Sequence, residues 1–233
     1  MTNPTQARII RLHTLAPDVV EVVLAAEDTN WSFRPGQWLD FQVPGLDKVG
    51  GFTITSTPAR LAQKGEFTLA VKKSRCPLTQ WLHDRARPGD RVHANVGGTF
   101  VYHAQRHGGP LLLIAGGIGI TPLIAIFRYV RESEPEKPVT LLHSAKRVQD
   151  LVFRDEILMA AMEPHIEAYF TLTAENWDGP MGRLSAAAIA EKTAFAERTH
   201  VFICGPEKMQ IHLAQACQQT GIPSAQIYRE QWG

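Results

Sequence analysis

The chain has 233 residues, 44% of them hydrophobic, with 24 basic against 23 acidic side chains and a net charge of +1. That apolar supply is enough for a full core in one large domain or two modest ones, and it excludes global disorder. The balanced charge gives no electrostatic ground for a nucleic-acid partner or an acidic membrane surface. The longest apolar runs fall short of a membrane span, and the opening MTNPTQARII lacks the apolar stretch of a secretory signal. Three widely spaced cysteines, Cys76, Cys204 and Cys217, make neither a disulfide framework nor a CxxC metal pair. A reducing cytoplasm is the expected home. The nine histidines are scattered, with no i, i+4 pair on a helix, so no metal is expected.

In chain order, residues 8–100 read as β. The runs 9–15, 19–26, 37–43, 52–55, 66–73 and 90–95 are short and several alternate. In EFTLAVKK, Phe67, Leu69 and Val71 fall on one face. RPGQ, VPGLDK and RPGD supply turns between runs, and one helix is expected over 78–86. The pattern predicts a small antiparallel β-barrel over residues 1–104. Residues 105–233 alternate instead. PLLLIAG, VTLLHSA, IEAYFTL and HVFICG read as strands, each followed by a helical stretch, which predicts an α/β domain on a parallel sheet.

AGGIGITPL, residues 115–123, occupies the turn after the first of these strands. Ligands of parallel α/β sheets bind outside the carboxyl ends of the strands. Gly116, Gly117 and Gly119 let backbone N–H groups approach a ligand, Thr121 is a candidate cap and Pro122 suits a first turn. A phosphate cradle at a helix N-terminus and a plain tight turn both fit this stretch. VFICGPEKM repeats the strand–turn–helix pattern at 201–209 and would set Cys204 at the mouth of the same cleft, unless it is simply a small buried residue.

Together these segments resemble the ferredoxin–NADP⁺ reductase superfamily, in order and along nearly the whole chain. GGFTITSTP resembles its flavin segment R-x-Y-S-(I/L)-x-S-x-P, CPLTQWLHD with RPGD its helix start and K-P-G-D turn, and GGTF its G-x-F. AGGIGITPL, ICGPEKM and REQWG are similar to its nucleotide motif, its C-G-P-x-x-M and its terminal E-x-aromatic. The resemblance implies a flavoprotein using FAD, or less readily FMN, with NADH or NADPH, and passing electrons to a separate, unidentified acceptor. No membrane partner is implied, nor an attached iron–sulfur domain, because no C-x₄-C-x₂-C run exists.

By the same resemblance Phe52 packs on the flavin ring and the Thr53 hydroxyl lies by its hydride-accepting nitrogen. Ile54 and Thr55 offer backbone groups, and Ser56 and Thr57 shape the loop. Cys76, Pro77, Leu78 and Thr79 begin a helix, capped by Thr79, that faces the flavin pyrophosphate. Cys204, Gly205, Pro206 and Met209 border the nicotinamide. Glu230 orders the reacting side and Trp232 covers the ring. Ser144, Lys146 and Arg147, at the second parallel strand, are candidates for a 2′-phosphate, no acid standing immediately at that strand end. Gly50 stands where the family has an arginine, and Lys72, Lys73 and Arg75 are candidates to replace its charge. Two further readings stay open: a nucleotide-binding or electron-transfer subunit without its own tight flavin, and a free-flavin reductase.

Overall fold

A computed structural model describes residues 5–28, 30–192 and 196–230. Two compact units divide the chain: residues up to Tyr102 together with Ile124–Tyr129, and the remainder from His103 onward.

The first unit holds β1 (Thr5–Ala16), β2 (Val19–Ala26), β3 (Trp38–Gln42), β4 (Val49–Thr53), α1 (Pro58–Lys64), β5 (Glu66–Lys72), α2 (Pro77–Asp84) and β6 (Arg91–Gly97). The strands form one antiparallel sheet in the order β4-β3-β6-β1-β2-β5. Its two edges meet just past β4, where Ile54 bridges Leu69 and the Thr55 N–H donates to Thr68 O at 2.8 Å. The barrel is thereby closed. Inward residues such as Ile9, Leu24, Phe41, Phe67, Leu69 and Val92 fill it, with Leu78 and Leu82 of α2 packed on the same core. Helix α1 is an element that the sequence pattern did not announce. Thr57 caps it, accepting from Arg60 N, Pro58 stands in its first turn, and Gly65 ends it at φ 66°.

The second unit holds β7 (Leu111–Gly116), most of α3 (Ile120–Ser133), β8 (Val139–Ala145), α4 (Arg154–Ala160), β9 (Ile166–Leu172), α5 (Ala186–Glu191), β10 (His200–Cys204), α6 (Glu207–Gln219) and β11 (Ile227–Arg229). All five strands are parallel, in the order β11-β10-β7-β8-β9. From β7 the chain winds outward through β8 to β9, then returns to add β10 and β11 on the other side. The direction reverses between β7 and β10, so their carboxyl ends define the switch point of the sheet. Leu123, Ile124, Ala125, Ile126 and Phe127 are all fully buried, as expected of a helix apolar on every side. Among the described residues no helix is long and apolar enough to cross a membrane.

Candidate functional site

In the first unit the segment 52–57 leaves β4. Phe52 is half-buried and meets Phe41 edge-on, with ring centres 5.6 Å apart. Three of the four backbone groups of Ile54 and Thr55 already have partners in the protein. Ile54 N donates to Gln37 O at 3.0 Å, Thr55 N to Thr68 O, and Thr55 O accepts from Arg128 Nη1 at 2.7 Å. The Thr55 and Thr68 hydroxyls pair at 2.8 Å, and Ser56 Oγ accepts from Thr68 N. These groups close the barrel, and Thr57 starts α1. Thr53 is different. It is 3% exposed, and its Oγ1 has no partner among the described residues. A buried hydroxyl with no partner is costly.

A Cβ at Gly50 would come within 2.6 Å of Leu78 Cδ2 and 3.2 Å of Phe52 Cζ. Leu78 is itself fully buried. The position that the resemblance gives to arginine is thus packed shut, and only glycine fits without a shift. The cap of α2 is also not the expected one. Cys76 stands at the N-cap with no side-chain hydrogen bond, so the first N–H groups of α2 have no side-chain cap. Thr79 lies inside the first turn. Its hydroxyl donates to Cys76 O at 2.9 Å and accepts from Ser74 N at 3.1 Å. Pro77 is exposed at the helix start. Of the candidate cations, Lys72 pairs with Asp18 and Lys73 with Asp84, while Arg75 is exposed.

In the second unit, β7 ends at Gly116, and a short 3₁₀ turn, Gly117–Gly119, leads into α3. Gly119 is the N-cap and offers no side chain, so here again threonine is not the cap. Thr121 Oγ1 donates backward to Ile118 O at 3.1 Å, and Pro122 is buried in the first turn. The three glycines serve different ends. A Cβ on Gly119 would lie 2.5 Å from Cys204 O, and one on Gly116 would lie 2.6 Å from Met209 Sδ and 2.9 Å from Pro206 Cδ. Those two let the turns after β7 and β10 touch at the switch point. Gly117, at φ 54°, faces open space.

Cys204 closes β10 at the switch point, with its side chain fully buried. Its neighbour Gly205 gives its carbonyl to Gln210 Nε2 at 2.8 Å, and the same nitrogen donates to Glu230 O at 2.8 Å. Glu230 follows β11, also at the carboxyl end of the sheet. It is 5% exposed, Oε2 has no partner among the described residues, and burial pushes its carboxyl up to about 7. Trp232 lies outside the described residues.

At the end of β8, Ser144 is half-buried and pairs in register with Gly116, and Lys146 is exposed. The Arg147 guanidinium faces the Asp150 carboxylate. The strand end has an acid after all: Glu175, from the loop after β9, accepts from Val148 N at 2.9 Å. Sequence reasoning also missed Gln210 and His143. Gln210 sits on the buried stripe of α6 with Leu213, Ala214 and Cys217, where a polar residue is itself a signal. His143 interrupts the apolar run of β8, is fully buried, and places Nε2 3.0 Å from Gly117 O.

The family model of the oxidoreductase NAD-binding domain matches residues 113–215. An oxidoreductase NAD-binding domain-containing protein 1 from Danio rerio is 33% identical over 97% of this chain and 91% of its own length. The cytochrome P450 reductase GcoB of Amycolatopsis superposes with a TM-score of 0.86 at 25% identity, over 98% of this chain and 69% of that one. The flavohem-like FAD/NAD binding domain of nitric oxide dioxygenase from Vibrio cholerae gives 0.86 at 20% identity, over 100% of both chains. Motifs, topology and relatives agree, and the chain belongs to the ferredoxin reductase-like family of oxidoreductase NAD-binding domain proteins.

Proposed function

We propose that this chain is a flavin-dependent NAD(P)H oxidoreductase that takes a hydride from a nicotinamide nucleotide and passes the electrons, through FAD, to a separate acceptor. The observation that carries the reading is Thr53, a buried strand-end hydroxyl without a partner in a segment whose other hydroxyls are committed. It has a hydrogen bond to give to a ring atom of a bound cofactor. The uncapped first turn of α2 fits a pyrophosphate, by its free N–H groups and its dipole. The Vibrio cholerae domain is described as binding FAD and NAD, which agrees. When bound, the flavin supplies a ring able to accept a hydride and release electrons singly or in pairs. In the second unit, Gly117 and the uncapped start of α3 receive the nucleotide phosphates. Gln210 holds the Gly205 turn and the Glu230 backbone, and Glu230 keeps a proton near neutral pH. Glu175 beside the β8 end favours ribose hydroxyls, hence NADH over NADPH.

The test is the visible spectrum of the purified protein, followed without oxygen as NADH and then NADPH are added. A flavin spectrum that bleaches, faster with NADH, is expected. Protein that stays colourless after soaking in FAD and FMN, yet binds nucleotide, would instead make the chain a nucleotide-binding subunit. Thr53→Val should slow flavin reduction about tenfold, the worth of one hydrogen bond, with nucleotide affinity unchanged. A second reading, a free-flavin reductase, is favoured by Leu78 filling the space over Gly50, which leaves no room there for a charged clamp. Flavin lost on dialysis would support it; flavin retained would end it.

A further inference from the structure

We propose that His143 is a positioning residue for nucleotide phosphates, locking the Gly117–Ile118 peptide so that its N–H, and not its carbonyl, faces the pyrophosphate. The inference rests on the reading of the glycine turn as the nucleotide site.

His143 lies on β8 opposite Ala115, next to the strand that feeds the turn. Its ring is fully buried, with its centre 6.4 Å from that of Phe170. Nε2 is 3.0 Å from Gly117 O. A carbonyl only accepts, so Nε2 carries the hydrogen. Nδ1 is then a bare acceptor, and it has no partner among the described residues. Burial pushes the ring's pKa down to about 4 against the opposing pull of the Gly117 bond. The ring is therefore neutral, in one tautomer, throughout the physiological range.

Gly117 O accepts a second bond from Ile120 N, so both its lone pairs are used on the protein side. No peptide in the described chain is cis. Across a trans peptide the C=O and the following N–H point in opposite directions. A carbonyl drawn to His143 therefore turns Ile118 N–H away from β8. At Gly117 no Cβ obstructs, and a Cβ built there would meet nothing within 4 Å. With glycine at 117, only the Ile120 bond would otherwise resist rotation of that peptide. Rotation would aim a partial negative oxygen at the phosphate, which is repulsive. The histidine adds a second restraint on the carbonyl without competing for the ligand.

The experiment compares binding of ADP with binding of adenosine, by ligand-observed NMR, to wild type, His143→Leu, His143→Gln and His143→Asn. A glutamine amide reaches Gly117 O; an asparagine, one methylene shorter, does not. His143→Leu and His143→Asn should weaken ADP at least tenfold and leave adenosine unchanged, and His143→Gln should recover most of the loss. If His143→Leu does not fold, the Gln-over-Asn advantage for ADP carries the test. Equal ADP affinity in all variants, or equal losses for ADP and adenosine, overturns the inference. Wild-type protein that takes neither ADP nor NADH overturns the phosphate reading itself, a different failure.

Discussion

Glu230 and Gln210 meet through the backbone, and each makes a separate claim on stability. Burial raises the Glu230 carboxyl from 4.5 to about 7. A folded pKa above the unfolded one means that the neutral acid contributes stability fully present below about 4.5 and lost as pH rises through about 7. The gap in stability between Glu230→Gln and wild type should therefore widen across that window, read as melting temperatures by calorimetry. A constant gap would mean the carboxyl is not held neutral. Gln210→Leu removes the donor to two carbonyls, the part-buried one of Gly205 and the buried one of Glu230. It should cost about 1–3 kcal/mol, at about 2–4 °C of melting temperature per kcal/mol.

At the scale of elements, the two glycine turns are the joint that can be broken by one methyl group. Gly119→Ala puts a Cβ 2.5 Å from a backbone oxygen that cannot swing aside, whereas Gly117→Ala meets open space and strains only φ. Unfolding free energies from urea titration should fall further for Gly119→Ala, by about 1–3 kcal/mol against about 1–2 kcal/mol for Gly117→Ala. The reverse order would mean the turns are not in contact. Such a joint was half legible in the sequence. Strands β7, β8, β9 and β10 and helix α3 announce themselves, because largely apolar runs of strand length and a wide apolar helix have few alternatives. The meeting of the β7 and β10 turns follows once the strands are parallel. Helix α1 was missed because it is short and packs on the core through little more than the partly buried Leu61, too little for an apolar period, although Thr57, Pro58 and Gly65 mark both its ends. Strand β11 has three residues, too few to show a pattern. Both threonine caps were misread for one reason: the helices start at Pro77 and Ile120, earlier than the threonine hydroxyls suggest. Glu175 and His143 become candidate site residues only through partners 27 and 26 residues away, which no local pattern contains, whereas Gln210 was marked by its polar place on a buried helix stripe.

For the molecule as a whole, acid is the exposed flank. Burial lowers His143 and His107 to about 4, and it lowers His200 as well. A depressed histidine gives stability that is present above about 6.5 and lost as pH falls toward 4. For the fully buried His143 alone this is on the order of 3 kcal/mol. Three such rings outweigh the single opposing Glu230, so the melting temperature should climb from pH 4.5 to 6.5 and then level, with His143→Gln climbing less steeply. A flat profile would mean these rings titrate as if in water. The position of β10 has a consequence of another kind, in the order of events. It lies between β7 and β11, yet it is made long after β7, whose six residues are all buried in the finished sheet. Until β10 arrives, β7 has an open apolar edge and the first glycine turn has nothing to close against. In a chain still being made, the nucleotide turn therefore closes only after β10 has emerged, and that unpaired edge is where partly made chains would stick to one another.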